Sequence, residues 1–266
     1  MGLIGIAILL GIVEGLTEFL PVSSTGHLIV AGHLLGFTGQ TAETFEIFIQ
    51  LGAILAVVVL ERRVFLDLLR PRARAGFAGP RGCALLLTTT VPALIAGALL
   101  HDWIKVHLFG PTTVAWGLFA GGVVILVVES ARPRTTVGGV DSLGFGQALA
   151  IGLFQCLSLW PGVSRSGATI VGGLLCGLER RTAATYSFVA AVPVMAAATL
   201  YDLMKSWSHL GAQDIAPFAI GFVVAFISAY AAMRTFVALL GRFTLRPFAW
   251  YRIVVAPAVY FYFLVK

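Results

Sequence analysis

Charge is scarce in this 266-residue chain: Asp, Glu, Lys and Arg together make up 11% of it, against about a quarter in soluble domains. That scarcity excludes an ordinary water-facing surface. Cysteine is also sparse, and Cys83, Cys156 and Cys176 form no close-spaced metal pattern, so free thiols are expected. There is no low-complexity tract, and no stretch between apolar runs is long enough to be a separate soluble domain. Residues 1–20 lack the basic start and small-residue cleavage site of a removable leader. They also carry Glu14 and Glu18, so they are expected to belong to the mature fold.

What is abundant is apolar: 59% of residues are hydrophobic and the mean hydropathy is +0.95. The solvent is lipid, and at roughly 20 residues per span the length accommodates six to eight crossings. Eight apolar runs stand out, at 3–20, 45–60, 84–100, 112–130, 143–160, 185–204, 216–238 and 249–265. The net charge of +6 does not point to nucleic acid. Its arginines, such as Arg62, Arg63, Arg70, Arg72, Arg74 and Arg81, cluster in short segments between runs, the pattern of loops facing anionic lipid.

An internal repeat organises the chain. At an offset of 141, Gly11, Leu16, Val22, Ser23, Gly26, Ile29, Val30, Gly32, Leu34 and Gly36 match residues of the same type from Gly152 to Gly177, ten identities in 26 positions. Roughly two or three are expected from such a composition. Each copy centres on a polar break, LPVSSTGH at 20–27 and WPGVSRSGAT at 160–169. Irregular backbone is not tolerated against lipid, so each break is expected inside protein or against a wet cavity, as in a re-entrant helix–loop–helix.

Charge counting supports that topology. If 3–36 and 143–178 each enter and leave on one side, six spans remain. One face then receives Arg62, Arg63, Arg70, Arg72, Arg74, Arg81, Arg132, Arg134, Arg180, Arg181, Arg234, Arg242, Arg246 and Arg252, and the other only Lys105, Lys205 and Lys266, a count of 14 to 3. With eight crossings the count becomes 10 to 7 and the signal fades. The expected fold is therefore an all-α polytopic membrane protein, one integral domain over 1–266, with six transmembrane helices and two re-entrant hairpins. Three spans per half make the repeats, about 1–136 and 142–266, inverted with a site near the midplane. The basic loops are expected on the cytoplasmic side and the first hairpin open to the outer side.

Ionisable residues inside apolar segments are costly, which makes each a functional candidate. Glu14 and Glu18 stand one helical turn apart. They are either a structural pair capped by loop hydroxyls or, with substrate phosphate oxygens, ligands of a divalent cation, Mg²⁺ or Ca²⁺. Ser23, Ser24, Thr25, Gly26 and His27 follow Pro21 at a helix start, where N–H groups, hydroxyls and close backbone approach favour an anion. Ser24 and His27, three apart, suit a nucleophile and a base, or a donor to the leaving oxygen; attack by water or by His27 itself stays open. In the second break Ser164, Arg165, Ser166 and Gly167 offer an anion clamp, with Arg165 either gripping phosphate or paired internally with Glu14 or Glu18. The second half has Gln155, Leu159 and Ala168 where the first has Glu14, Glu18 and His27. Glu46 and Gln50 are candidates for an outer layer of the site. His33, His101, His107 and His209 show no ligand spacing, and Trp103, Trp207 and Trp250 read as interface anchors.

Three stretches, EGLTEFLPVSSTGH at 14–27, FEIFIQLGAILAVV at 45–58 and PGVSRSGATI at 161–170, resemble the undecaprenyl-pyrophosphate phosphatase family, the bacitracin-resistance type of bacterial inner-membrane phosphatase. The resemblance runs from about residue 5 to the C-terminus and is weakest over 61–83. It implies hydrolysis of undecaprenyl diphosphate to undecaprenyl phosphate and inorganic phosphate, recycling the lipid carrier of peptidoglycan synthesis, with a divalent cation. It marks Glu14, Glu18, Ser24, His27 and Arg165 as the core of the site. The rival reading is a polyprenyl-phosphate transporter or flippase, for which inverted repeats are common architecture. The bilayer and the lipid substrate are the expected partners, nucleic acid is not, and homodimerisation is left open.

Overall fold

A computed structural model describes residues 2–72, 75–108, 110–206 and 211–264. Arg74, Trp207, His209 and Lys266 lie outside the described residues, as do the side chains of His101, Lys105 and Lys205. The described residues contain eleven α-helices and no strand: α1 Leu3–Thr17, α2 Ser24–Leu35, α3 Gln40–Leu60, α4 Arg62–Leu68, α5 Gly79–His107, α6 Pro111–Ala131, α7 Phe145–Cys156, α8 Arg165–Leu175, α9 Arg180–Ser206, α10 Ile215–Leu240 and α11 Arg246–Leu264.

Six of these, α3, α5, α6, α9, α10 and α11, are long and apolar enough to cross a membrane. The chain is an all-α polytopic membrane protein. The runs at 3–20 and 143–160 become α1 and α7, of 15 and 12 residues. At 1.5 Å per residue the longer is about 22 Å, short of a hydrocarbon core of about 30 Å. Each is followed by an irregular break and a second short helix, α2 or α8.

The breaks share one backbone feature at their helix starts. Ser23 (φ 71°, ψ 95°) and Ser164 (φ 73°, ψ 117°), 141 positions apart, are two of only three non-glycine residues with positive φ among the described residues. Such a conformation costs a residue with a Cβ about 1–3 kcal/mol and persists where its surroundings over-determine it.

The short helices are seated across the halves: α1 packs chiefly on α10, and α7 on α5. Small residues permit the approach. A Cβ on Gly15 would fall 2.5 Å from Ser228 Cβ and 2.6 Å from Ala225 O, and one on Gly152 would fall 2.6 Å from Thr89 O. Leu10, Phe45, Ile49 and Phe218 fill the space between α1, α3 and α10, while Val114, Leu118, Ala256 and Val259 join α6 to α11. Both breaks are thereby held inside the protein.

Candidate active site

Thr17 ends α1 and Ser24 starts α2, so the intervening turn aims Glu18 back at the start of the next helix. The Ser24 hydroxyl donates to Glu18 Oε2. The other carboxylate oxygen, Oε1, accepts from Arg165 Nη2 at 2.9 Å. Arg165 arrives from the second break as the first residue of α8. Its guanidinium also reaches Ser187 O at 3.1 Å and Met195 Sδ at 3.2 Å, and lies 5.2 Å from the centroid of the Phe19 ring. A hydroxyl, a carboxylate and a guanidinium are thus joined across residues far apart in sequence. Of the two readings open for Arg165, the internal pair with Glu18 is the one adopted.

Glu14, one turn back on α1, is fully buried and neither of its carboxylate oxygens has a hydrogen-bond partner. The fields of Glu18, Glu46 and Arg165 reach it. An orphaned buried carboxylate is costly and calls for a partner from outside the protein. Arg165 Nε is likewise buried and unpartnered.

His27 lies on α2, three residues after Ser24. Its Nδ1 is 2.7 Å from Ser23 O, and since a carbonyl only accepts, Nδ1 carries the hydrogen. In the neutral ring Nε2 is then the basic nitrogen, and Tyr251 donates its hydroxyl to it at 2.6 Å. The two rings stack at 5.6 Å. The Ser24 hydroxyl, three residues before His27 on the same helix, has Glu18 as its hydrogen-bond partner.

The remaining candidates divide by role. Ser164 caps α8 by accepting from Gly167 N at 3.1 Å and meets Ser166 Oγ at 3.1 Å. Ser166 donates to Leu20 O at 2.8 Å, tying one break to the other. Ser23 supplies its carbonyl to His27, Thr25 is exposed, and Gly26 packs on α6 beside Val114 and Leu118. Glu46 lies against Gly32 of α2, whereas Gln50 is half-buried with no hydrogen bond to the cluster. Of the three cysteines, none is in a disulfide.

Arg252 requires a correction. It was counted among the arginines of the basic face, but its side chain is completely buried, six residues into α11. Its Nε donates to Leu118 O, Nη1 to Pro21 O, and Nη2 lies within 3.1 Å of Gly117, Gly162 and Val163 carbonyl oxygens. The guanidinium fork joins carbonyls of both breaks, Pro21 in the first and Gly162 and Val163 in the second, to the Gly117 and Leu118 carbonyls of α6. Gly121 and Gly167 make the space, since a Cβ on either would stand 1.9 Å from Nη2 or 3.1 Å from Nη1. Removing Arg252 turns the count of 14 to 3 into 13 to 3, so the asymmetry survives. Arg252 and Tyr251 are the site residues that sequence reasoning missed. An arginine within the run 249–265 satisfies the same rule of costly intramembrane charge that singled out Arg165.

Six spans around two interior breaks that pool a hydroxyl, two carboxylates, an imidazole and two guanidiniums define a polytopic helical membrane protein with a buried polar site. Residues 7–258 match the family model described as bacitracin resistance protein BacA. The chain belongs to that family. Among curated relatives, the undecaprenyl-diphosphatase of Nitratidesulfovibrio vulgaris strain DP4 is 58% identical over 256 residues, covering 96% of this chain and 97% of the relative. That of Maridesulfovibrio salexigens is 56% identical with the same coverage, and that of Desulfovibrio desulfuricans is 55% identical over 98% of both chains.

Proposed function

We propose that this protein hydrolyses undecaprenyl diphosphate to undecaprenyl phosphate and inorganic phosphate, and so recycles a lipid carrier of cell-wall synthesis and supports bacitracin resistance. The observation that carries the reading is the Ser24–Glu18–Arg165 chain, which unites a hydroxyl, an acceptor for its proton and an anion clamp. The relatives' name, undecaprenyl-diphosphatase, supports hydrolysis over transport.

In the proposed reaction the diphosphate displaces Glu18 from Arg165, whose fork then holds phosphate oxygens. Glu18, released from that pairing, takes the Ser24 proton as Oγ attacks the terminal phosphorus. The bond from that phosphorus to the bridging oxygen breaks, leaving the lipid monophosphate and a phosphoserine that water hydrolyses. The bridging oxygen leaves as an anionic oxygen of the lipid monophosphate, while His27 is held by Ser23 and Tyr251 and takes no proton from the serine.

The residues present fit a divalent cation of the kind shared with substrate. Both oxygens of Glu14 are free, whereas those of Glu18 are engaged, and among the described residues no three His, Cys, Asp or Glu side chains gather into a metal cage. One carboxylate plus substrate oxygens suits Mg²⁺; bound there, the ion neutralises charge on the transferred phosphoryl group. Glu14 is its protein ligand, and Glu18, once displaced from Arg165, has a free oxygen to share the ion with it, as the sequence pair suggests.

The short helices and their breaks read as two re-entrant hairpins of an inverted repeat, supported by the matched Ser23 and Ser164 backbones and by the crossed seating of α1 on α10 and α7 on α5. With the basic loops cytoplasmic, the site opens to the outer side of a bacterial inner membrane. Phosphate release from undecaprenyl diphosphate in detergent tests the proposal. Wild type should release it and Glu18→Ala should not; no release with any divalent cation would overturn the reading.

A further inference from the structure

A cavity of about 470 Å³ lies away from this site, where the end of α6, the α8–α9 junction and the α10–α11 turn meet. Arg132, Arg180, Arg246, Glu129 and Glu179 line it. It opens among the arginines of the basic face, at the far end of α8 from Arg165, about 14 Å along that helix.

The cavity's charges are unequally employed. Glu129 is spent: it takes Arg180 Nε at 2.9 Å and Nη2 at 2.5 Å, and accepts from Leu245 N at 3.0 Å. Arg132 has no hydrogen bond or ion pair among the described residues, and Arg246 has only a 3.4 Å contact with Ser130 Oγ. Three arginines against two glutamates leave one positive charge. It is presented by Arg132, which is unpaired among the described residues, and by Arg246, which is held only by its long contact to Ser130; the planar forks of both match phosphate oxygens. α9 begins at Arg180, so its first turn adds the positive end of a helix dipole on the same side. Leu239 and Phe243, next in sequence to the lining residues Leu240 and Thr244, are exposed apolar side chains and supply an apolar ledge.

We propose that this cavity is a second, non-catalytic site that binds a phosphate group of one net negative charge, held by Arg132 and Arg246. An anionic phospholipid head group and free inorganic phosphate share that chemistry. The apolar ledge suits a group that arrives with acyl chains, as basic pockets between membrane helices do for anionic lipids.

The test uses the full chain in two settings: nanodiscs of phosphatidylcholine with and without phosphatidylglycerol, read by native mass spectrometry for retained lipid, and detergent solution titrated with inorganic phosphate. Wild type should show one saturable adduct in one setting or the other, and the responding setting names the source. The Arg132→Gln/Arg246→Gln double variant should bind at least ten-fold more weakly, a factor that corresponds to about 1.4 kcal/mol, while Arg132→Lys/Arg246→Lys retains most of the binding. Glu179→Gln, which removes an opposing charge from an exposed position, should bind several-fold more tightly. Phosphate release from the lipid diphosphate should stay within two-fold of wild type in each variant, which also reports that each has folded. Absence of a saturable adduct in both settings, or binding unchanged in both the double Gln and the Glu179→Gln variants, would overturn the proposal.

Discussion

Replacing Arg252 by lysine keeps the charge and removes the fork. The guanidinium spreads its donors over five carbonyl oxygens, of Pro21, Gly117, Leu118, Gly162 and Val163. Gly117 and Leu118 lie inside α6 and keep their helical partners, so the carbonyls at risk are those of Pro21, Gly162 and Val163. An ammonium has its donors at one point and cannot stand where both Nη1 and Nη2 stand, so at least one of the three loses its partner, at about 1–3 kcal/mol. For a chain of this length that lowers the unfolding midpoint by about 2–10 °C. Because Pro21 belongs to the first break and Gly162 and Val163 to the second, the same change loosens the register between Ser24 and Arg165. A displacement of about 1 Å costs ~100-fold in rate. The assay is phosphate release together with thermal unfolding in detergent. Arg252→Lys should lose turnover at saturating substrate by about that factor; wild-type rate with a wild-type midpoint would refute the reasoning.

Further outcomes follow from individual contacts. Arg165→Lys retains charge but not the bidentate grip, and should lower kcat/KM for the lipid diphosphate by ~100-fold or more. Gly15→Ala drives a methyl to within 2.6 Å of Ala225 O; chemical unfolding should show a loss of about 1–3 kcal/mol. Chelation of divalent ions should abolish phosphate release, with Mg²⁺ restoring it, and Glu14→Gln should raise the Mg²⁺ concentration needed for half-maximal rate.

Much of the fold was legible because membrane solvent leaves few solutions. The six spans coincide with six of the eight apolar runs, since only lengths near 20 residues cross while keeping every backbone group paired. The runs at 3–20 and 143–160 have the same hydropathy as spans, and it took the polar breaks after them to tell them apart. The segment 61–83 was read as a plain basic loop. It folds into α4 and the start of α5, with Arg81 bonded to Gly76 and Leu143 carbonyls and Phe77 buried, tertiary contacts that no local pattern announces.

At the site, residue types and spacing brought Glu18, Ser24 and Arg165 into view, but pairing depends on the path of the backbone. Positive φ at Ser23 turns the chain so that Ser24 meets Glu18 and His27 meets Tyr251, a residue 224 positions away. Ser24 and His27 both lie in α2, three apart, but their hydrogen bonds run to different partners, Glu18 and Tyr251. Arg252 was misassigned because counting positive charge by segment ignores depth: at a helix start an arginine reaches water, and one and a half turns further in it does not.

The account's central claim is that Ser24 accepts the phosphoryl group with Glu18 as its base. The direct measurement is a rapid quench of enzyme with undecaprenyl diphosphate labelled in its terminal phosphate, followed by mass-spectrometric mapping of the protein. A labelled phosphoserine at Ser24, with Ser24→Ala devoid of phosphate release, is the predicted result. Full activity in Ser24→Ala, or label on His27, would contradict it.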